Sequence, residues 1–267
     1  MSPSQSLRLE GTHITRLPEG KVKRLLPEPI EDLEAKEVYQ DLLLPKRGDR
    51  PYVLINMVSS LDGKATVNGK SGPIGVPIDR IVMRKLRVRA DAVFVGASTL
   101  RSEKLTLSVT SDLALQRASL GLKPQPLAVL TTISGELPLE DNLLDAAFDN
   151  VLVIATPSTP SARIKEISEL ASVEIAASLE ETLKILKERY SVDVLLVEGG
   201  PSLNYALMSP GLVDELFLTL APKLLGGKSN SALTILEGPP FNQSVRLKPV
   251  SIHVAEGELF LRYRNED

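Results

Sequence analysis

The chain has no cysteine in its 267 residues, which removes disulfides, thiol nucleophiles and thiolate metal sites together. Its two histidines, His13 and His253, are too few for a histidine-rich metal site, and each reads as a surface or packing residue. No apolar run reaches the length of a membrane span, and the opening residues, Met1 to His13, have no apolar signal-peptide core. Charge of one sign is also lacking: the net charge is −3, so neither nucleic acid nor an anionic membrane is called for as a partner. These absences predict a cytoplasmic protein whose chemistry rests on carboxylates, Lys, Arg, hydroxyls or an organic cofactor, with no metal.

What is present is an ordinary globular composition, 43% hydrophobic and 24% charged, long enough for a sizeable core. Val194-Leu195-Leu196-Val197 is a wholly apolar run that suits a strand covered on both faces. Glu198, Gly199 and Gly200 interrupt it, and Pro201 opens a helix with Leu203, Ala206 and Leu207 at helical spacing. A strand, a double glycine and a helix N-terminus together form an anion seat, with phosphate or pyrophosphate as the expected occupant. The same two glycines are also what any tight β-to-α turn requires.

Residues 1–48 are polar and punctuated by proline, and predict an N-terminal extension with one helical segment around Ile30–Leu43; residues 49–267 form one domain. Tyr52–Met57 alternates as a strand, and the loop from Val58 to Gly75 is long and crowded with small, hydroxyl and charged residues, the kind that carries function. Asp62-Gly63 and Asn68-Gly69 within it also read as plain turns. Pro77–Ala90 predicts a helix with Ile78, Val82 and Leu86 inward and Asp79 in its first turn.

Strands at Asp91–Gly96, Leu127–Thr132 and Val151–Ala155 each run into small or hydroxyl-bearing residues, the pattern expected where a nucleotide crosses the carboxyl edge of a sheet. A helix at Ser161–Ala171, a strand at Val173–Ala176 and a helix behind a Ser178–Glu181 capping box keep a β-α-β rhythm. From Glu215 the rhythm changes to strands at Glu215–Leu220, Val245–Val254 and Leu259–Tyr263, the last two around a Glu256-Gly257 turn. The expected fold is α/β, three layers with a mixed, mainly parallel central sheet.

Six pieces, in order, resemble the reductase domain of riboflavin biosynthesis, the C-terminal half of the bifunctional deaminase-reductase, whose fold is dihydrofolate-reductase-like. They are Ser60-Leu61-Asp62-Gly63-Lys64, Ser71-Gly72, Leu86-Arg87, Asp91 through Thr99, Glu198-Gly199-Gly200-Pro201-Ser202-Leu203-Asn204, and Leu212-Val213-Asp214-Glu215 leading to Ala221 through Gly227. The match spans roughly residues 50–264, and the zinc deaminase half, which needs Cys ligands, is absent.

The resemblance implies NADPH as hydride donor and a phosphoribosylaminopyrimidine as substrate, reduced from ribosyl to ribityl. Carried over residue by residue, Gly96, Ser98 and Thr99 line the dinucleotide. Gly199, Gly200, Pro201 and Ser202 hold its pyrophosphate, Glu198 sits beside it, and Thr132 and Ser134 neighbour the adenosine 2′-phosphate. The nicotinamide then faces Asn56–Lys64, which brings Asn56 and Ser59 into the substrate site with Ser71 and Glu103. Lys64 is the candidate for polarising or protonating the reacting group, Asp62 for orienting it and Arg87 for the substrate phosphate. A homodimer is implied as well.

The Leu100–Ser108 segment departs from the family pattern: a Pro is missing, Lys104 stands for an acid and Ser108 for an Arg, with Arg101 and Lys104 as candidate replacements. Two alternatives therefore stay open. One is a dihydrofolate- or pterin-type reductase, for which Asp62 and Glu103 are the acids to consider; the other is a non-catalytic NADPH-binding regulatory protein.

Overall fold

The computed structural model describes residues 21–39, 42–103, 106–137, 150–227 and 232–266. Among them one continuous sheet holds β1 (Lys21–Leu26), β2 (Ile30–Glu34), β3 (Tyr52–Ser60), β4 (Ala92–Gly96), β5 (Leu127–Thr132), β6 (Val151–Ala155), β7 (Ser172–Ile175), β8 (Val194–Val197), β9 (Glu215–Ala221), β10 (Leu247–Ala255) and β11 (Glu258–Asn265). Their spatial order is β2-β1-β10-β11-β9-β3-β8-β4-β5-β6-β7. From β9 to β7 every neighbour is parallel, and from β2 to β9 every neighbour is antiparallel. The mixed sheet of the sequence expectation is present.

The helices are α1 (Pro77–Arg89), α2 (Ala97–Glu103), α3 (Ser111–Ser119), α4 (Ser161–Ser168), α5 (Leu179–Tyr190) and α6 (Pro201–Met208). They cover both faces because alternate residues of each central strand point opposite ways. On β4, Val93 and Val95 join a core with Ile78, Val82 and Leu86 of α1 and Ile167 of α4. Ala92 and Phe94 join the opposite core with Leu183 and Leu186 of α5 and Leu203 and Leu207 of α6. Strands clad on both sides can be wholly apolar, which is why Val194–Val197 shows no alternation.

The segment expected to be helical at Ile30–Leu43 is instead β2 followed by one 3₁₀ turn, Ala35–Glu37. The reason is tertiary: β1 pairs antiparallel with β10 and offers its free edge, so Leu33 lies opposite Val22 and the backbone of β2 gains partners that helix propensity does not supply. Val38 and Leu42 then bury in the core, as an inward assignment of Val38, Leu42 and Leu33 requires of the first two. Gln40 and Asp41, with His13 and all of residues 1–20, lie outside the described residues.

Two helices escaped the sequence reading. Gly96-Ala97-Ser98-Thr99, expected as a loop junction, turns directly into α2, and α3 is a short helix whose Arg117 is fully buried. That guanidinium donates to the carbonyls of Arg87, Val88 and Ala90, capping the C-terminus of α1. At α5, Ser178 Oγ accepts from Glu181 N–H as expected, but the Glu181 carboxylate takes the N–H of Ala177 rather than that of Ser178.

Candidate active site

The site is built where two strand-to-helix junctions meet at the carboxyl ends of adjacent parallel strands. The N–H of Gly96, ending β4, donates to Gly199 O at 2.9 Å, and Glu198 N–H donates to Phe94 O at 3.1 Å. This contact needs a residue without a side chain at Gly200. A Cβ on Gly200 would collide with Thr99 Oγ1, and one on Gly96 would reach Gly200 N at 3.7 Å. Gly199 has φ +93°, the left-handed region that favours glycine. Helix α6 starts immediately after, with Pro201 in its first turn and no side chain capping its N-terminus. Close-packed backbone, uncapped helix N–H groups and the hydroxyls of Ser98, Thr99 and Ser202 make a cradle that fits a dinucleotide pyrophosphate.

The cradle opens into a cavity of about 850 Å³, in the upper part of the range of small-molecule sites. One end runs past Thr132 and Ser134 at the mouth of β5 to Thr156, Ser178 and Thr182, a wall of hydroxyls, with Arg101 of α2 above it. The Arg101 guanidinium donates to Glu136 O at 2.6 Å, which holds it over the β5 turn. The other end is walled by Asn56 and Val58 of β3, Thr66 and Ser71 of the following loop, Asp79 and Met83 of α1, and Glu103 of α2. Ser71 N–H donates to Glu103 Oε1 at 2.5 Å, so the loop is fastened to α2 across the opening.

Of the residues singled out in the sequence, Asn56, Ser71, Gly96, Ser98, Thr99, Glu103, Thr132, Ser134, Glu198, Gly200, Pro201 and Ser202 line this one cavity. Ser59, Asp62, Lys64, Arg87 and Gly199 do not. Gly199 lies behind the cradle, where its carbonyl receives the Gly96 N–H. Ser59 is buried and its hydroxyl donates to Ser60 O.

Arg87, expected at the substrate phosphate, is engaged inside the protein. Its guanidinium makes a two-pronged pair with Glu198, Nε to Oε1 at 2.7 Å and Nη2 to Oε2 at 2.6 Å, and Nη1 donates to Thr106 O and Ser108 O. The side chains are 4% and 7% exposed, so this is a buried ion pair, and four of the five guanidinium N–H groups are taken up by Glu198 and the two carbonyls. The carbonyl of Ser108, one of the family departures, thus belongs to the socket of Arg87. Lys104 lies outside the described residues.

Asp62 is a loop clamp. Its carboxylate accepts from Ser60 Oγ at 2.6 Å and from the N–H groups of Leu225 and Gly226 at 3.1 and 2.6 Å. The Ser60 hydroxyl foremost, then the Leu225 amide, hold its pKa down to about 2. It ties the loop after β3 to the loop after β9, and Leu61 N–H to Lys223 O repeats the tie. Lys64 is placed by its backbone: its N–H donates to Ser60 Oγ, its carbonyl receives Ser60 N–H, and it bridges to Thr234. Its neighbours Ala65 and Thr66, not Lys64 itself, face the cavity.

Sequence reasoning missed Asp79 and Met83, which stand one helical turn apart on the cavity wall. An Asp in the first turn of a helix is also what the helix dipole favours, and that plain explanation hid its exposure to the cavity.

The class defined by this arrangement is an α/β protein with a glycine- and hydroxyl-lined cleft across the carboxyl edge of a mixed sheet. Residues 51–260 match the family described as the RibD C-terminal domain, and the chain belongs to that family. It is 30% identical over 213 residues to the 2,5-diamino-6-ribosylamino-4(3H)-pyrimidinone 5′-phosphate reductase of Archaeoglobus fulgidus, covering 78% of this chain and 95% of that one. It is 28% identical over 220 residues to the protein of the same name from Methanothermobacter thermautotrophicus, covering 80% and 98%. Among solved structures, a pyrimidine reductase-like protein from Corynebacterium diphtheriae aligns with a TM-score of 0.74 at 26% identity, covering 87% of this chain and 99% of that one.

Proposed function

We propose that this protein is an NADPH-dependent reductase that converts the ribosyl group of a phosphoribosylaminopyrimidine to ribityl, as its named relatives' substrate suggests. The observation that carries the proposal is a single cavity with a glycine-built anion cradle at its centre, hydroxyls at one end and amide and carboxylate groups at the other. Gly200, Pro201 and Ser202 would hold the NADPH pyrophosphate, Ser98 and Thr99 would flank it, and Thr132, Ser134 and Arg101 would meet the adenosine 2′-phosphate. When bound, NADPH supplies the hydride.

The residues of the other end position the second substrate. Opening the ribose ring of the aminal leaves a C=N bond; its carbon accepts the hydride and its nitrogen a proton, so the product is a secondary amine. Asn56 and Thr66 border the space where this bond would lie against the end of β3, and orientation in a closed site is the main lowering of the barrier. We assign Lys64, half-buried, two residues before Thr66 and in no ion pair among the described residues, to polarise or protonate the reacting group. Residues 49–267 as the reductase unit, a homodimeric assembly and a cytoplasmic location form part of the same reading; no helix among the described residues is long and apolar enough to cross a membrane.

The test is NADPH oxidation by the purified protein, offered the deaminated and undeaminated phosphoribosylaminopyrimidines and dihydrofolate in parallel. Turnover of a ribosyl substrate, lost in Lys64→Ala while NADPH binding persists, is the expected result. Turnover of dihydrofolate alone overturns the substrate assignment, and NADPH binding without turnover of any of the three assigns a non-catalytic role.

A further inference from the structure

Asn204 closes the glycine motif that begins at Glu198, yet its side chain does not line the cavity. It stands in α6, on the same helix as Pro201 and Ser202 of the cradle, and is fully buried. Its Nδ2 donates to Ile235 O at 3.0 Å, while its Oδ1 has no hydrogen-bond partner among the described residues. A buried amide satisfied on one side only is a poor space-filler, because a leucine of similar volume would bury no polar atom. What the amide supplies is its donor, and the donor holds Ile235.

Ile235 belongs to an irregular stretch, residues 232–237, that is stitched to the segment following β3. Ala65 N–H donates to Leu233 O at 2.7 Å, Leu233 N–H donates to Thr66 Oγ1 at 3.0 Å, and Thr234 bridges to Lys64. Leu233, Ala65 and Thr66 all face the cavity. The same stretch is tied to α6 a second time, where Glu237 N–H donates to Pro201 O at 3.1 Å. Of these two ties the Asn204 bond is the nearer to the Lys64 bridge, since Ile235 adjoins Thr234. A line of contacts therefore runs from the helix that forms the cradle, through the Asn204 amide, to residues 64–66.

We infer that Asn204 is a positioning residue: through Ile235 it fixes Lys64–Thr66 relative to the pyrophosphate cradle and touches neither ligand. The inference rests on the reductase function proposed above. In that reading the cofactor is held from α6 and the C=N bond is met from the segment after β3, so alignment of the reacting atoms depends on how firmly these two are held to each other. A displacement of about 1 Å caused by a change far from the chemistry costs on the order of 100-fold in rate.

The test is Asn204→Leu in the full chain, which removes the donor and the unpartnered oxygen together at similar volume. The melting temperature should move by no more than about 4 °C. NADPH affinity should stay within about twofold while kcat falls by at least about 10-fold. With NADPH deuterated at the transferred position, the isotope effect on kcat should grow, because the slowed chemical step then limits turnover. Amide hydrogen exchange needs neither cofactor nor turnover: the Ala65 N–H should exchange at least about 10-fold faster, and the Gly96 N–H of the cradle at the wild-type rate.

A kcat within about twofold of the wild type overturns the inference, and so does unchanged exchange at Ala65. A kcat that falls only with the folded fraction, with the isotope effect unmoved, makes Asn204 a residue of the fold alone and overturns it too. If Asn204→Leu does not fold, Asn204→Ser, too short to reach Ile235 O, is held to the same criteria, and failure of both to fold is equally fatal. Absence of turnover in the wild type counts against the reductase function instead, and exchange at Ala65 then decides by itself whether Asn204 places this segment.

Discussion

The two ends of the cavity are made of different material. The end we assign to the dinucleotide is backbone: two glycine junctions pressed together, a helix N-terminus and a wall of hydroxyls, with Arg101 among its lining side chains. The end we assign to the substrate presents the carboxylates of Asp79, Glu103 and Glu198, and two of them already have partners within the fold, Glu198 with Arg87 and Glu103 with the Ser71 N–H; behind the wall, Asp62 is held by the N–H groups of Leu225 and Gly226. A shape made of backbone tolerates only steric changes. A shape made of paired charges fails when one partner is removed, so the two ends should break in different ways.

The largest expected effect is at the buried ion pair. Arg87→Ala leaves the Glu198 carboxylate without its cation, and removal of one member of a buried pair costs about 3–5 kcal/mol. Urea denaturation should show this loss, and substrate affinity should fall only as far as the folded fraction falls. If Arg87 instead served a substrate phosphate, the variant would keep its stability and bind substrate more weakly, and the contrast between the two ends would disappear.

Gly200→Ala tests the opposite end. Its new methyl meets Thr99 Oγ1 within the cradle. NADPH affinity should weaken roughly 10- to 100-fold, about 1.4–2.7 kcal/mol, by fluorescence titration. Binding of the ribityl product at the substrate end should stay within about twofold. Equal loss of both ligands would mean that the cavity responds as one unit.

This difference in material also decides what the sequence could reveal. A glycine pair after an apolar run leaves a local trace, so Gly96, Gly199, Gly200 and the strands that carry them were legible, and the hydroxyls at the mouths of β5 and β6 came with them. A charged residue leaves no trace of which partner it finds 111 residues away, as Arg87 does with Glu198. Arg87 and Asp62 therefore read as reactive groups when their partners are internal, and Asp79 read as an ordinary helix-capping charge. The β2 segment failed for a related reason: its partner, β1, is fixed in turn by β10, more than 200 residues on. Residues 1–20 and Lys104 lie outside the described residues, so those expectations meet no structure.

A smaller effect comes from the layer beneath the substrate end. Glu258 is fully buried; its Oε1 accepts from Val76 N–H, and its Oε2 has no hydrogen-bond partner among the described residues. Burial first, then the charge of Asp79, push its pKa from 4.5 to about 7, against the Val76 amide and Lys223, with Glu256 adding to the rise. The folded protein therefore binds more protons than the unfolded chain between these values, so stability falls as pH rises from 4.5 to about 7 and the penalty is complete above that. Glu258→Gln should flatten this part of the curve and raise stability at pH 8 by on the order of 1–2 kcal/mol, read as a pH series of melting temperatures. A curve unchanged by the substitution would remove Glu258 from the account.

The smallest effect is expected at Asp62, and it separates a clamp from a catalyst. The carboxylate is exposed and binds two backbone amides of the loop after β9 without lining the cavity. Asn keeps one acceptor for those amides, so Asp62→Asn should leave the turnover rate within about threefold and weaken substrate binding modestly as the loop loosens. Faster proteolysis within Leu61–Gly75 should accompany it. Turnover slowed by about 100-fold or more, with the loop equally protected, would instead place Asp62 at the reacting atoms, and the substrate end would hold a charge spent on chemistry instead of on the fold.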